Sequence, residues 1–148
     1  PKRAVVKRDG WTIGGMAKGA GMLAPGLATM LVVLTTDAVL SSAQLDQALR
    51  AATRVTFDRL DSDGCMSTND QVTLMTSGAS GIAPDEDLFT QLLTELCQDL
   101  AAQLLSDAEG ASHEIAIRVE SAVARRSGTT MDPLYWGSGR NGLVLTNT

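Results

Sequence analysis

The pattern of apolar and polar positions predicts two long helices. Ser41 and Gln44 form a capping box, and apolar residues then recur at helical spacing to about Leu60. A second helix is predicted to begin at Pro84, because proline suits a first helical position and acidic residues fill the turn that follows. Its apolar stripe is expected to be core, and consists of Leu88, Leu92, Leu93, Leu96, Leu100, Leu104 and Leu105.

Strands are predicted before and between these helices. Residues 3–7 and 11–13 flank Asp9-Gly10, a dipeptide that favours a tight hairpin turn. The apolar run after Met30 and the alternating pattern near the end of the chain indicate further strands. We expect these at residues 30–34, 71–76 and 114–120. Strands and helices are therefore mixed, which predicts an α/β fold.

Residues 14–26 contain five glycines and Pro25, and this composition favours a shaped loop. A Walker phosphate loop requires a lysine followed by serine or threonine, but Lys18 is followed by Gly19. Nucleotide binding is therefore disfavoured. On composition alone, the segment is a connector with a surface lysine.

Composition narrows the classes of function. The chain has 148 residues, 44% hydrophobic and 20% charged, as in an ordinary globular domain with one core. A net charge of -5 argues against nucleic acid or an anionic membrane as partner, and the apolar run 27–40 is too short for a membrane span. Cys65, Cys97 and His113 offer neither a disulfide framework nor zinc spacing, so we expect no metal and a reducing, cytoplasmic location. Because the first residue is Pro1, we expect the reading frame to begin further upstream.

Two other groups of polar residues are candidate sites. Asp61, Asp63 and Asp70 resemble a calcium loop, but that alignment puts Arg59 at the first ligand position, so ordering a turn is the better interpretation. His113 could act as a base, yet no partner is evident near it in the sequence. An ordinary polar role is favoured for this histidine.

The segment Lys-Gly-Ala-Gly-Met-Leu-Ala-Pro-Gly-Leu-Ala-Thr-Met-Leu, residues 18–31, resembles the cleavage-site signature of the ornithine acetyltransferase family. Members of this family are also called bifunctional glutamate N-acetyltransferases of arginine biosynthesis. Further motifs follow in the family's order at residues 61–64, 67–70, 77–78 and 107–111. The resemblance implies that residues 1–122 are the central part of such a domain around the cleavage site, and that residues 123–148 are a divergent tail whose structure is poorly determined by the sequence.

The resemblance also implies a fold and a mechanism. The fold would be a layered α/β assembly, a mixed sheet with packed helices, present incompletely in this chain. The precursor would cut itself between Ala28 and Thr29, and Thr29 would then carry acetyl from N-acetylornithine to glutamate as an acetyl-threonine intermediate. Lys18 and Glu109 match substrate-binding residues of the family. No cofactor is implied, although acetyl-CoA is an alternative acetyl donor in some members. The expected partner is the other subunit produced by cleavage, which gives a hetero-oligomer of the two chains.

Some features depart from the family pattern and leave alternatives open. Ser112-His113 stands where the family has threonine and lysine, residues 132–140 are a distorted version of a family segment, and the family's oxyanion-hole Thr-Gly pair would lie upstream of this chain. A self-cleaving amidase or aminopeptidase, or a catalytically inactive fragment, therefore remains an alternative. Without the resemblance, Thr29 would be a β-branched residue at a strand entry, and Lys18 and Glu109 would be surface charges.

Overall fold

The computed structural model describes residues 2–19, 30–60 and 69–107, and the backbone of residues 138–139 and 142–143. A four-stranded sheet has the order β1-β2-β3-β4, with the first two pairings antiparallel and the third parallel. Its strands are β1 (Lys2–Arg8), β2 (Trp11–Lys18), β3 (Leu31–Thr36) and β4 (Gln71–Thr76). The helices are α1 (Ser42–Val55) and α2 (Glu86–Ser106), and a separate antiparallel pair joins β5 (Ser138–Gly139) to β6 (Gly142–Leu143). The predicted mixture of strands and helices is confirmed.

The hairpin between β1 and β2 turns at the predicted dipeptide. Asp9 and Gly10 both have positive φ angles, 22° and 90°, which a tight turn of this kind requires. Arg8 pairs with Trp11 directly beyond the turn. The prediction of a hairpin at this position is confirmed.

Helix α1 begins with the predicted capping box and ends earlier than predicted. The Ser41 hydroxyl accepts from the Gln44 N–H at 3.3 Å, and the Gln44 side chain accepts from the Ser41 N–H at 2.8 Å. The helix ends at Val55 rather than near Leu60, because Thr56 leaves the helical conformation and its N–H bonds the Thr53 carbonyl. A short 3₁₀ turn, Phe57–Arg59, continues the chain and buries the Phe57 ring.

Helix α2 begins two residues after the predicted start. Asp85 is its N-cap, since its extended backbone ends the preceding loop and its carboxylate accepts from the Leu88 N–H at 2.9 Å. Pro84 therefore precedes the cap and is not the first helical residue, so that prediction was wrong. The apolar stripe is confirmed as core at Leu92, Leu93, Leu96, Leu100 and Leu104, which are buried.

The core lies between one face of the sheet and the two helices. Helix α2 packs on β1 and β2, helix α1 packs on α2 and on β4, and the Trp11 and Phe89 rings lie 5.7 Å apart between centroids. Cys97 is buried in this layer, and burial raises the pKa of its thiol to about 12. The largest fully buried side chains are Phe89, Ile13, Leu34, Leu93, Leu96, Leu100 and Val32.

The opposite face of the sheet is partly apolar and exposed in the described part of the chain. Alternation along β3 buries Val32 and Leu34 against the helices and leaves Leu31 and Val33 outward. Across the described strands, Val5, Met16 and Met75 are exposed as well. Within residues 2–19, 30–60 and 69–107, the helices pack on one face only.

The glycine-rich segment is a strand over its first five residues, which corrects the loop expected there. Residues 14–18 complete β2; residues 14–17 pair with both β1 and β3, and Lys18 pairs with β3. A glycine suits position 15 because a Cβ there would lie 2.7 Å from Leu34 and 2.9 Å from Leu100. The glycine content that suggested a loop is therefore explained in part by the close packing of helix α2 on β2.

Several predictions fall on residues 20–29, 61–68 and 108–137, which lie outside the described residues. They are the rest of the glycine-rich loop, the turn around Asp61 and Asp63, the strand at residues 114–120, Cys65 and His113. Most of the tail from residue 123 also lies outside. No helix in the described part of the chain is long and apolar enough to cross a membrane.

Candidate active site

One edge of the sheet collects the ends of several chain segments. Because β1 and β2 form a hairpin, β3 is antiparallel to β2, and β4 is parallel to β3, the start of β1, the end of β2 and the starts of β3 and β4 lie at the same edge. We call this the Lys18 edge and define it by Lys2, Lys18, Met30 and Asp70. Lys18 is itself a predicted site residue, Met30 directly follows Thr29, and Asp70 closes the Ser67-Thr68-Asn69-Asp70 motif.

Both backbone polar groups of Met30 form hydrogen bonds at this edge. Its N–H donates to Oδ1 of Asp70 at 2.8 Å, and its carbonyl accepts from the Gln71 N–H at 2.9 Å. The second bond continues the parallel pairing of β3 with β4 by one residue. The position of the chain directly after Thr29 is therefore defined by two hydrogen bonds.

Lys18 is the last residue of β2 and its side chain is exposed. It pairs with Leu31 across the antiparallel ladder, so the sheet itself puts this lysine opposite a residue that follows Thr29 by two positions. An ammonium group here can offer charge-assisted hydrogen bonds to a carboxylate.

Lys2 ties the Lys18 edge to the end of helix α2. Its ammonium donates to the carbonyl of Gly19 at 2.8 Å and forms an ion pair with the Asp107 carboxylate. The hydrogen bond from Lys2, followed by its positive charge, lowers the pKa of Asp107. Lys2 therefore has a structural role. It contacts Gly19, which follows Lys18, and Asp107, which lies two positions before Glu109.

The predicted site residues fall into two groups. Lys18 is described and lies at the edge, whereas Ala28, Thr29 and Glu109 lie outside the described residues. The structure brings together their neighbours along the chain, since Met30 directly precedes β3, which pairs with the strand that ends in Lys18, and Asp107 is joined to Lys2. The roles of these four residues remain predictions.

Two residues of this edge, Lys2 and Asp70, were not predicted as part of the site from the sequence. Asp70 had been assigned only to a turn, although it closes the Ser67-Thr68-Asn69-Asp70 motif that resembles the family pattern. That motif was the available signal. Nothing in the local sequence indicates that Lys2 reaches Asp107, because 105 positions separate the two residues.

The Ser77-Gly78 motif lies at the opposite edge. The Ser77 N–H donates to the Thr36 carbonyl at 3.0 Å, at the far ends of the parallel strands, and Gly78 has a φ of 66° that glycine adopts readily. Ser80 closes the same turn on the Asp37 carbonyl, with its N–H at 2.9 Å. In this structure the motif forms a turn, away from the Lys18 edge.

The helix N-termini enclose a cavity of about 40 Å³ at that opposite end, bordered by Leu40, Gln44, Glu86 and Phe89 among others. A cavity of this size has room for a few water molecules and none for an amino-acid substrate. The described residues include no group of three or more His, Cys, Asp or Glu arranged to hold a metal ion.

The described residues thus define a protein of the mixed α/β class, with two helices on one face of the sheet. Directly before β3, the backbone of Met30 is held by two hydrogen bonds. The chain belongs to the ArgJ family, because residues 1–132 match the model of that family. The resemblance noted in the sequence is confirmed by this match, and the α/β fold class is confirmed by the structure.

Individual relatives agree with the family match. The chain is 66% identical over 121 residues to the arginine biosynthesis bifunctional protein ArgJ of Streptomyces coelicolor, covering 82% of this chain and 32% of the relative. The protein of the same name from Thermobifida fusca is 65% identical over 130 residues, covering 88% and 34%. The chain therefore spans about a third of the length of the curated relatives it matches.

A solved structure is similar as well. The crystal structure of the arginine biosynthesis bifunctional protein ArgJ from Bacillus halodurans superposes with a TM-score of 0.50 at 39% sequence identity. The superposition covers 57% of this chain and 41% of that chain. The fold described above is thus related to that of a family member.

Proposed function

We propose that the protein containing this chain transfers acetyl from N-acetylornithine to glutamate in arginine biosynthesis, after cutting itself between Ala28 and Thr29. The observation that carries the proposal is the family match, which runs through residues 1–132 and so includes the whole cleavage-site signature. The geometry of the Lys18 edge supports it, since the residue after Thr29 is fixed opposite the strand that ends in Lys18.

In the self-cleavage step, the Thr29 hydroxyl oxygen attacks the carbonyl carbon of Ala28, and the peptide nitrogen leaves as the α-amine of Thr29. Water then hydrolyses the resulting ester, which releases the Ala28 carboxylate and restores the hydroxyl group. A threonine hydroxyl is a weak nucleophile without a base, and this step creates one in the same residue. An α-amine has a pKa of about 7.7 to 8, so a useful fraction of it is neutral near pH 7.

Acetyl transfer follows in two half-reactions. The α-amine takes the Thr29 hydroxyl proton as the oxygen attacks the acetyl carbon of N-acetylornithine, and ornithine leaves with that proton on its nitrogen. The glutamate amine then attacks the acetyl-threonine ester, so that N-acetylglutamate forms and Thr29 regains its proton. The acetyl group passes between amines without hydrolysis, as in a ping-pong mechanism.

Lys18 and Glu109 are proposed to hold the substrate. The Lys18 ammonium would bind a substrate carboxylate, and its exposed position at the end of β2 leaves it accessible for this contact. Glu109 would face the ornithine ammonium. We propose further that no bound cofactor is needed and that the two cleaved chains stay associated in the cytoplasm; acetyl-CoA is left open as an alternative acetyl donor.

Intact mass spectrometry tests the cleavage step directly. The wild-type chain is expected to yield two fragments that divide between Ala28 and Thr29, whereas Thr29→Ala is expected to stay whole. Thr35→Ala is the matched control, since it removes a threonine hydroxyl from the exposed face of β3 and should leave cleavage unchanged. In a second experiment, the matching segment of the Streptomyces coelicolor relative is replaced by the segment from this chain, as wild type and with each of the same substitutions. We call this protein the grafted enzyme.

The grafted protein separates transfer from hydrolysis. Acetyl should move from N-acetylornithine to glutamate with no net release of acetate, and Thr29→Ala should abolish it. Acetate release without N-acetylglutamate would favour an amidase. Cleavage that is equally fast in wild type and Thr29→Ala would disprove the proposal.

A further inference from the structure

Asp70 makes its side-chain contact at the residue next to the proposed nucleophile. Its Oδ1 accepts from the Met30 N–H at 2.8 Å, while the neighbouring Gln71 N–H donates to the Met30 carbonyl at 2.9 Å. Met30 is half-buried and packs against the core, so its side chain is also held. Two hydrogen bonds to its backbone and the packing of its side chain therefore hold Met30 at the start of β3.

We propose that Asp70 is a positioning residue for the Thr29 nucleophile, acting through the Met30 N–H. This inference rests on the proposed function, because it requires Thr29 to be the reacting residue. Asp70 touches no reacting atom, and its contribution is to fix the orientation of the peptide unit that links Thr29 to Met30.

The covalent geometry explains how the effect reaches Thr29. A peptide unit is planar, so the Met30 N–H and the Cα of Thr29 lie in one rigid group. A carboxylate bond to that N–H is charge-assisted and shorter and stronger than a neutral one. Once the plane is fixed, the hydroxyl oxygen of Thr29 can be moved only by rotation about the bonds of Thr29 itself.

Self-cleavage makes this restraint more important. Before the cut, the chain holds Thr29 from both sides, but afterwards Thr29 is a chain terminus. Terminal residues lose order unless they are tied down. Among the described residues, the hydrogen bond from the Met30 N–H to Asp70 is the one nearest to the new terminus. It holds the peptide unit that joins Thr29 to Met30, on the C-terminal side of the cleavage site.

The far end of β3 carries an equivalent bond that serves as the control. Oδ1 of Asp37 accepts from the Thr12 N–H at 2.7 Å, at the edge opposite to Lys18. Both aspartates thus accept a hydrogen bond from a backbone N–H near the end of a strand. Only the bond to Asp70 lies next to Thr29. A purely structural role predicts equal effects at the two positions, whereas a positioning role predicts a loss of turnover at Asp70 alone.

The experiment compares Asp70→Ala and Asp70→Asn with Asp37→Ala in the grafted enzyme. We expect Asp70→Ala to slow self-cleavage and to lower kcat for acetyl transfer by about tenfold to a hundredfold, with KM changed less than about threefold, since small misplacements of a reacting group cost this much. Asp70→Asn should recover most of the lost kcat, because its side-chain oxygen still accepts from the Met30 N–H. Asp37→Ala should lower the thermal unfolding temperature at nearly unchanged kcat.

The outcomes are distinct. If Asp70→Ala retains wild-type kcat, or if Asp37→Ala lowers kcat equally, the positioning role is wrong. If Asp70→Ala does not fold, Asp70→Ser replaces it with the same expected selective loss of kcat, and wild-type turnover in that variant overturns the inference. Cleavage in Thr29→Ala would instead remove the proposed function on which the inference rests.

Discussion

Gly15 lies where helix α2 packs closely on the sheet. A Cβ at this position would lie 2.7 Å from Leu34, 2.9 Å from Leu100 and 3.0 Å from Leu96, all in the core. The neighbouring glycine has a different environment, because a Cβ at Gly14 would meet only the Thr35 hydroxyl, at 3.8 Å on the outer face. The two adjacent glycines therefore have different physical reasons for being glycine.

Gly15→Ala is expected to destabilise the fold by about 1–3 kcal/mol, because three packed leucines would have to move to admit one methyl group. Gly14→Ala should change the free energy of unfolding little, or raise it slightly by restricting the unfolded chain. Urea unfolding of both variants provides the measurement. Equal stability of the two variants would mean that the core is looser at Gly15 than the distances indicate.

This residue also shows what the sequence could not reveal. Glycine content suggested a loop over residues 14–26, but the reason for Gly15 is a contact with residues about 20 and 80 positions further along the chain. A local pattern contains no information about which helix crosses which strand. Single positions in β2 were therefore predicted less well than the apolar stripe of α2, where the helix period alone identifies the buried face.

Helix termini were predicted well where the signal is a local hydrogen bond. The capping box of α1 is present as predicted, and the Gln44 amide also donates at 2.6 Å to Glu86, the first residue of α2. The start of α2 was predicted at Pro84 because proline suits a first helical position, whereas the bond from the Leu88 N–H to the Asp85 carboxylate shows that the helix begins after Asp85. The order of the strands and the parallel β3–β4 pairing lay beyond local patterns altogether.

Ser41→Ala should lower stability by about 1 kcal/mol, as expected for loss of an N-cap hydroxyl. Ser42→Ala is the matched control, since this exposed serine is the first residue inside the helix, where alanine has a higher helix propensity. Urea denaturation measured on both variants, with helix content followed by circular dichroism, tests the difference. If both substitutions have the same effect, the capping box contributes nothing to stability.

At the scale of the whole molecule, the Lys18 edge depends on contacts between distant parts of the chain. The candidate site was predicted as separate residues, and family resemblance alone linked Lys18, Thr29 and Glu109. The structure adds the fastening of Met30 by Asp70 and the contact of Lys2 with both Gly19 and Asp107. These contacts could not be derived from spacing, because each joins segments that are separated along the chain and meet only in the fold.

The Lys2–Asp107 pair joins the first strand to the end of the last described helix. The Lys2 side chain is only 14% exposed and that of Asp107 is 67% exposed, so the lysine is the more constrained partner. The pKa of Asp107 is lowered from its ordinary value of 3.8 by the hydrogen bond and the charge of Lys2. A carboxyl group whose pKa is lower in the folded state stabilises the fold fully above its ordinary pKa, and this contribution is lost as the pH falls through the lowered value.

Asp107→Asn should therefore be less stable than wild type at neutral pH, and the two should converge in acid once the carboxylate is protonated. NMR titration of Asp107 gives a direct measurement, with a pKa below 3.8 in wild type and a return toward 3.8 in Lys2→Met. Lys7→Met is the control, because this lysine lies on the same strand but outside the ion pair, and the pKa of Asp107 should stay at its wild-type value. Identical titration in wild type and Lys2→Met would show that the pair does not form in solution, and the end of α2 would then lack this tie to the Lys18 edge.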